Sequence, residues 1–124
     1  MNIDPILIVE DNSVNVLILR TMLRKCGYEP IVATDGQAGV AMCETHRPKL
    51  VLMDINMPFM DGIAAATEIR RRSPGHAPAI VAVTADASDA QRAACAAAGF
   101  AGLLPKPLDL DALIAVVRRW LDPA

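Results

Sequence analysis

The sequence predicts an α/β fold, a doubly wound five-stranded parallel sheet with five helices packed on both of its faces. Three observations lead there. Five short apolar runs, rich in Ile, Val and Leu, are bounded by Pro, Gly or acidic residues, as expected of strands buried on both sides. Each run is followed by a segment with helical periodicity. The units repeat every 20–25 residues or so, which leaves room for a helical crossover but not for a hairpin, so neighbouring strands must run parallel with right-handed connections. An α-solenoid fits less well, because the runs are too short and too β-branched to be helices.

The first unit opens with Pro5-Ile6-Leu7-Ile8-Val9 and stops at Glu10-Asp11. Asn12 or Ser13 can cap a helix on which Val14, Leu17, Ile18 and Met22 recur at helical spacing, and Gly27 tolerates the left-handed backbone that closes a helix. The second unit pairs a strand at residues 30–33 with a helix over 36–46. The third pairs 50–53 with 63–72, and the fourth pairs 79–83 with 88–98. The last strand, Gly102-Leu103-Leu104, precedes an amphipathic helix carrying Leu110, Leu113, Ile114, Val117, Trp120 and Leu121, capped by Asp109. Alanines crowd positions 64–66 and 93–98, where a good helix former with a small side chain lets a helix lie close to the sheet. No linker or repeat divides the chain, and a single domain over residues 1–124 is expected.

Composition removes several functions. Twelve Lys and Arg against fourteen Asp and Glu give a net charge of −2, and one Trp, one Tyr and two Phe supply no stacking surface. Direct nucleic-acid binding is not expected. The longest unbroken apolar run is six residues, too short for a membrane span, so no direct membrane insertion is expected either. Cys26, Cys43 and Cys95 are odd in number and widely spaced, which suits buried thiols in a reducing cytoplasmic setting rather than a disulfide framework.

In an open parallel sheet, groups just past the carboxyl ends of the strands share one crevice. The residues so placed are Glu10 and Asp11, Asp35, Asp54, Thr84 and Lys106, with Asp35 set apart by the expected strand order. Two carboxylates about 4 Å apart repel by roughly 4 kcal/mol at an effective dielectric near 20, so Glu10, Asp11 and Asp54 need a countercharge to remain ionised together. Oxygen ligands without nearby Cys or His favour a hard divalent cation, Mg²⁺ or alternatively Mn²⁺, which keeps several waters and can accept phosphoryl oxygens. A Thr hydroxyl and a Lys ammonium can stabilise those oxygens, and Asp54 can then act as the attacking carboxylate.

The runs Ile6-Leu7-Ile8-Val9-Glu10-Asp11-Asn12, Met53-Asp54-Ile55-Asn56-Met57-Pro58-Phe59-Met60-Asp61-Gly62, Val83-Thr84-Ala85 and Leu104-Pro105-Lys106-Pro107 resemble, in this order, the landmarks of the receiver domains of two-component response regulators. That resemblance covers the whole chain and implies a flavodoxin-like fold of the receiver type. It implies that Asp54 accepts a phosphoryl group from a phosphohistidine, and that Glu10, Asp11, Asp54 and the Asn56 backbone carbonyl hold Mg²⁺. Thr84 and Lys106 become the switch hydroxyl and the phosphate-contacting lysine, and a cis Lys106–Pro107 peptide is implied as well. Gly62 is expected to free the backbone before the third helix.

The implied partners are a histidine kinase or a histidine phosphotransfer domain, met by the first helix near residues 14–18 and by the rim loops. The face of the fourth helix, fifth strand and fifth helix is the implied readout, with room for a weak homodimer. Glu10-Asp11-Asn12 with Asn15 is similar to receivers fused to hybrid sensor kinases. Asn56 and Asp86, two positions beyond Asp54 and Thr84, resemble the pair found in receivers that lose their phosphoryl group quickly. Leu103 departs from the family pattern, which often has Tyr or Phe there, and Phe100 is expected to pack between helix and sheet rather than replace that aromatic. A phosphatase of the haloacid dehalogenase type is disfavoured, since Asn56 stands where its second Asp would supply the general acid. A receiver-like module that binds partners without phosphorylation is the remaining alternative. On the preferred reading the only chemistry is self-phosphorylation and autodephosphorylation, and the chain is not an enzyme.

Overall fold

The computed structural model describes residues 5–57 and 60–121. Strands β1 (Ile6–Val9), β2 (Ile31–Ala33), β3 (Leu50–Asp54), β4 (Ala79–Thr84) and β5 (Gly102–Pro105) alternate with helices α1 (Ser13–Lys25), α2 (Gly36–His46), α3 (Gly62–Arg72), α4 (Asp89–Ala97) and α5 (Leu110–Leu121). All pairings are parallel, in the order β2-β1-β3-β4-β5. The chain steps outward from β1 to β2 and then returns past β1 to β3, so the winding reverses between these two central strands. A crevice opens at their carboxyl ends.

Burial on both faces explains the unbroken apolar runs. Leu7, Val9, Val51, Met53 and Ile80 point into one layer, where Val40 and Cys43 of α2 and Ala65, Ala66 and Ile69 of α3 cover them. Ile6, Ile8, Leu50, Leu52, Val81, Val83 and Leu104 point the other way, against Leu19 and Leu23 of α1 and Leu113 and Val117 of α5. Ile55, Ala82 and Cys95 form a smaller cluster beneath α4, packed by Ile63, Phe100 and Leu103. Phe100 therefore sits between helix and sheet, as expected.

Helix ends follow their capping chemistry. Asn12, not Ser13, caps α1 through its side-chain oxygen, which accepts from the N–H groups of Val14 and Asn15. Asp35, Asp61 and Asp109 do the same for α2, α3 and α5. Gly27, at φ +90°, ends the first helix in the left-handed region.

Three details differ from the sequence reading. The α1 stripe of Val14, Leu17 and Ile18 does not face the core: these residues are 62 %, 60 % and 41 % exposed, while Leu19 and Leu23 are buried. Apolar residues occur on two sides of this helix, and periodicity alone does not tell which side meets the sheet. Gly62 has no positive φ; instead, a Cβ there would lie 2.3 Å from the Asp54 carbonyl oxygen, so the glycine serves close approach of α3 to β3. Cys43 and Cys95 are buried, but Cys26 is only half-buried. Burial pushes the Cys43 thiol up to about 12, consistent with an inert packing role.

Candidate functional site

The strands deliver the polar groups to one rim. Glu10 follows β1 directly, and Asp54 is the last residue of β3, where strand pairing extends one position beyond the apolar run. Both carboxylates are nearly inaccessible, at 1 % and 5 % exposure, whereas Asp11 beside them is exposed. One carboxylate oxygen from each of the three acids lies within 4.8 Å of the others. Asp35 stays away at the edge strand and caps α2, as the strand order implied.

Lys106 enters from the far side of the sheet. It follows β5 at a cis Lys106–Pro107 peptide, and its Nζ lies 3.2 Å from Glu10 Oε1 and 3.5 Å from Asp54 Oδ1. This bridging of two acids by one ammonium is not legible in the sequence, which places Lys106 at the rim without choosing its partner. Backbone donors add to it: the Asn12 N–H points to Glu10 Oε2 at 3.2 Å, and the Asn56 N–H to Asp54 Oδ1 at 3.3 Å. Thr84 ends β4, one step beyond Val83, the residue opposite Asp54 in the strand register. It is fully buried, and its Oγ1 accepts the Asp86 N–H at 3.0 Å. Asp86 turns its own carboxylate toward the start of α4, where Oδ1 accepts from the Ser88 N–H, and the Ser88 side chain, with that N–H adding to it, holds the acid below its ordinary range. Within the landmark run, Pro58 and Phe59 lie outside the described residues.

Three carboxylates facing one ammonium leave the site short of positive charge. Glu10 records the deficit. Burial, with the neighbouring Asp54 adding to it, raises the Glu10 carboxyl from 4.5 to about 7, against the opposing pull of the Asn12 N–H and Lys106. A cation among these oxygens would reverse that pressure, and the donors are all hard oxygens, so the residues present suit a divalent ion such as Mg²⁺. Lys106 lies marginally nearer Glu10 than Asp54, but Asp54 is the buried carboxylate on the strand next to β4, opposite Val83 and one residue short of Thr84, and Asp11 of the same cluster is exposed.

The family model for the response regulator receiver domain matches residues 6–118. The chain is 40 % identical over 123 residues to hybrid signal transduction histidine kinase G of Dictyostelium discoideum, covering 93 % of this chain and 3 % of that protein. Among solved structures, it is similar to the receiver domain of the sensor histidine kinase PA1611 from Pseudomonas aeruginosa, with a magnesium ion coordinated in the active site cleft. The identity is 37 %, the TM-score 0.86, and the match covers 95 % of this chain and 97 % of that one. It also resembles a chain in the co-crystal structure of the Saccharomyces cerevisiae histidine phosphotransfer protein Ypd1 and the receiver domain of its downstream response regulator Ssk1. There the identity is 33 %, the TM-score 0.83, and coverage 93 % and 86 %.

Proposed function

Because this chain belongs to the response regulator receiver domain family and so serves two-component phosphorelay signalling, we propose that Asp54 is its phosphoryl acceptor and that Glu10, Asp11, Asp54 and the Asn56 carbonyl form its metal site. The observation that carries this is the meeting of two buried carboxylates from central strands with the Lys106 ammonium. Receiver domains are not enzymes in the usual sense, and the chemistry proposed is confined to loading and losing one group. An Asp54 carboxylate oxygen attacks phosphorus in line, the new O–P bond forms as the N–P bond to the donor imidazole breaks, and the imidazole departs with its electron pair and takes a proton. Mg²⁺, when bound, supplies charge that offsets the phosphoryl oxygens, with Mn²⁺ as an alternative. Lys106 holds a second positive charge beside Asp54, and Thr84 offers its hydroxyl to a phosphoryl oxygen.

The proposed donors are a histidine kinase or a histidine phosphotransfer domain. Exposed Val14, Leu17 and Ile18 on α1 support this, since an apolar patch next to the rim suits a helical partner. The face of α4, β5 and α5 is the proposed readout, including weak pairing of two copies. We also propose a place within a hybrid kinase and a cytoplasmic setting; among the described residues no helix is long and apolar enough to cross a membrane. Asn56 and Asp86 support a short-lived phosphoryl group, which replacing both by Met and Ala should prolong.

The test is intact-protein mass spectrometry after incubation with acetyl phosphate and Mg²⁺. One added phosphoryl group is expected, absent with a chelator and absent in Asp54→Asn. Undiminished incorporation in Asp54→Asn, or none in the unaltered chain, would remove the proposal.

A further inference from the structure

Helix α4 is the least embedded helix of the fold. Cys95 is its only buried residue, and Ala93, Ala94, Ala96 and Ala97 all face solvent. What holds it is a set of hydrogen bonds at its two ends. At the start they form a chain: the Asp86 N–H donates to Thr84 Oγ1 at 3.0 Å, the Ser88 N–H to Asp86 Oδ1 at 3.1 Å, and the Gln91 N–H to Ser88 Oγ at 3.2 Å. Every link is a side chain accepting from backbone, and the first is the hydroxyl that ends the strand next to the proposed acceptor's.

The other end is tied to a different helix. Of the three consecutive arginines closing α3, Arg71 and Arg72 pair with Glu68 and Glu44. Arg70 instead crosses to α4 and donates from Nη1 to the Ala98 carbonyl at 3.0 Å. A cation on the last carbonyls of a helix satisfies an orphan acceptor and suits the negative end of the helix dipole. Gly99 makes room for it: a Cβ at that position would lie 1.9 Å from Arg70 Nη1, and its φ of +89° suits glycine for a second reason. The guanidinium and the glycine fit each other.

From these contacts we infer that Arg70 is a positioning residue that pins the C-terminal end of α4, so that the movement of this helix expected when a receiver is loaded is confined to the end capped by the Thr84–Asp86–Ser88 chain. The inference rests on the proposed reading of Asp54 and Thr84, and it supplies an output that needs no aromatic ring at position 103, where Leu103 packs into the small cluster under α4. The Thr84 hydroxyl can donate to a phosphoryl oxygen and still accept the Asp86 N–H, so the first link weakens to the extent that Oγ1 is displaced toward that oxygen, and the cap of α4 loosens with it.

The test is amide hydrogen exchange followed by NMR on the full chain, with and without acetyl phosphate and Mg²⁺, in the unaltered protein, Arg70→Met and Asp86→Ala. Loading is checked on each sample by intact mass. In the unloaded state, Arg70→Met should speed exchange at Ala98, Gly99 and Phe100 about fivefold, the factor matching roughly 1 kcal/mol for one hydrogen bond, and leave Gln91 unchanged. Asp86→Ala should do the reverse, speeding Ser88 and Gln91. Loading of the unaltered protein should speed Gln91 and Arg92 while Ala98 to Phe100 hold, and in Arg70→Met that difference between the ends should vanish. Uniform acceleration along α4 on loading, or an Arg70→Met pattern identical to the unaltered protein, would overturn the inference. A missing mass increment would overturn the acceptor assignment instead, and the unloaded comparison would still decide the two-ended anchoring.

Discussion

Helices α3 and α4 are both short, both alanine-rich and both laid over the same side of the sheet, yet they are used in opposite ways. In α3, Ala65 and Ala66 are fully buried with Ile69, so small side chains bring the helix close to the strands. In α4, most alanines face solvent and Cys95 alone is buried. The same residue type thus builds a fixed wall behind Asp54 and, a few residues along, a helix held chiefly at its ends. What separates the two is the large apolar neighbour at helical spacing: Ile69 anchors α3, and no Leu, Ile or Val stands in α4.

Truncating the anchors should break the comparison most visibly. Ile69→Ala should cost about 3 kcal/mol in urea denaturation, through lost burial and the cavity left behind, whereas Cys95→Ala should cost about 1 kcal/mol. Equal losses would mean that α4 is as firmly embedded as α3. Next in size is Gly62→Ala. Its Cβ would meet the Asp54 carbonyl at 2.3 Å and the Ile55 Cα at 2.9 Å, both backbone atoms that cannot rotate away. A loss of about 2–3 kcal/mol is expected, with slower phosphoryl incorporation because α3 is pushed off the strand that carries Asp54. Normal stability and normal incorporation would show that the wall yields.

The acidic rim sharpens the contrast through pH. Glu10 ionises near 7 in the folded chain and near 4.5 when unfolded, so the folded state holds its proton more tightly. This contribution is fully present below pH 4.5, is lost as pH rises toward 7, and stays lost above it. Glu10→Gln removes the loss. In the presence of a chelator, the variant should be more stable than the unaltered chain at pH 8, by on the order of 2 kcal/mol, with the gap closing by pH 4. Parallel stability curves would contradict the electrostatic account of this rim. The smallest effect belongs to the α4 cap: Ser88→Ala should cost about 1 kcal/mol or less of global stability, while raising exchange at Gln91 well beyond that at Ala65 or Ala66.

Much of this was legible in the residues. Strands buried on both faces must be apolar throughout, so Ile6-Leu7-Ile8-Val9 and Leu50-Val51-Leu52-Met53 declare themselves, and Asp109 reads as the cap of the last helix, whereas the capping roles of Asp35 and Asp61 emerge only in the structure. The rim followed from strand ends alone, because parallel winding allows few places for them. The rest depended on third-dimensional neighbours. Leu19 faces the sheet and Ile18 does not, a distinction of one residue that hydrophobic spacing blurs. Lys106 bridges Glu10 and Asp54 across three strands, Gly62 answers a carbonyl eight residues back, and Arg70 finds a helix end twenty-eight positions away. None of these partners leaves a local pattern to read.

Whether a single carboxylate takes the phosphoryl group can be asked most directly by trapping it. Reducing the loaded protein with borohydride converts an aspartyl phosphate to homoserine, and peptide mass mapping then reports the position. The expected result is homoserine at residue 54 and nowhere else, dependent on Mg²⁺ during loading. Homoserine at residue 11, or phosphate recovered on a histidine, serine or threonine with residue 54 unchanged, would contradict it.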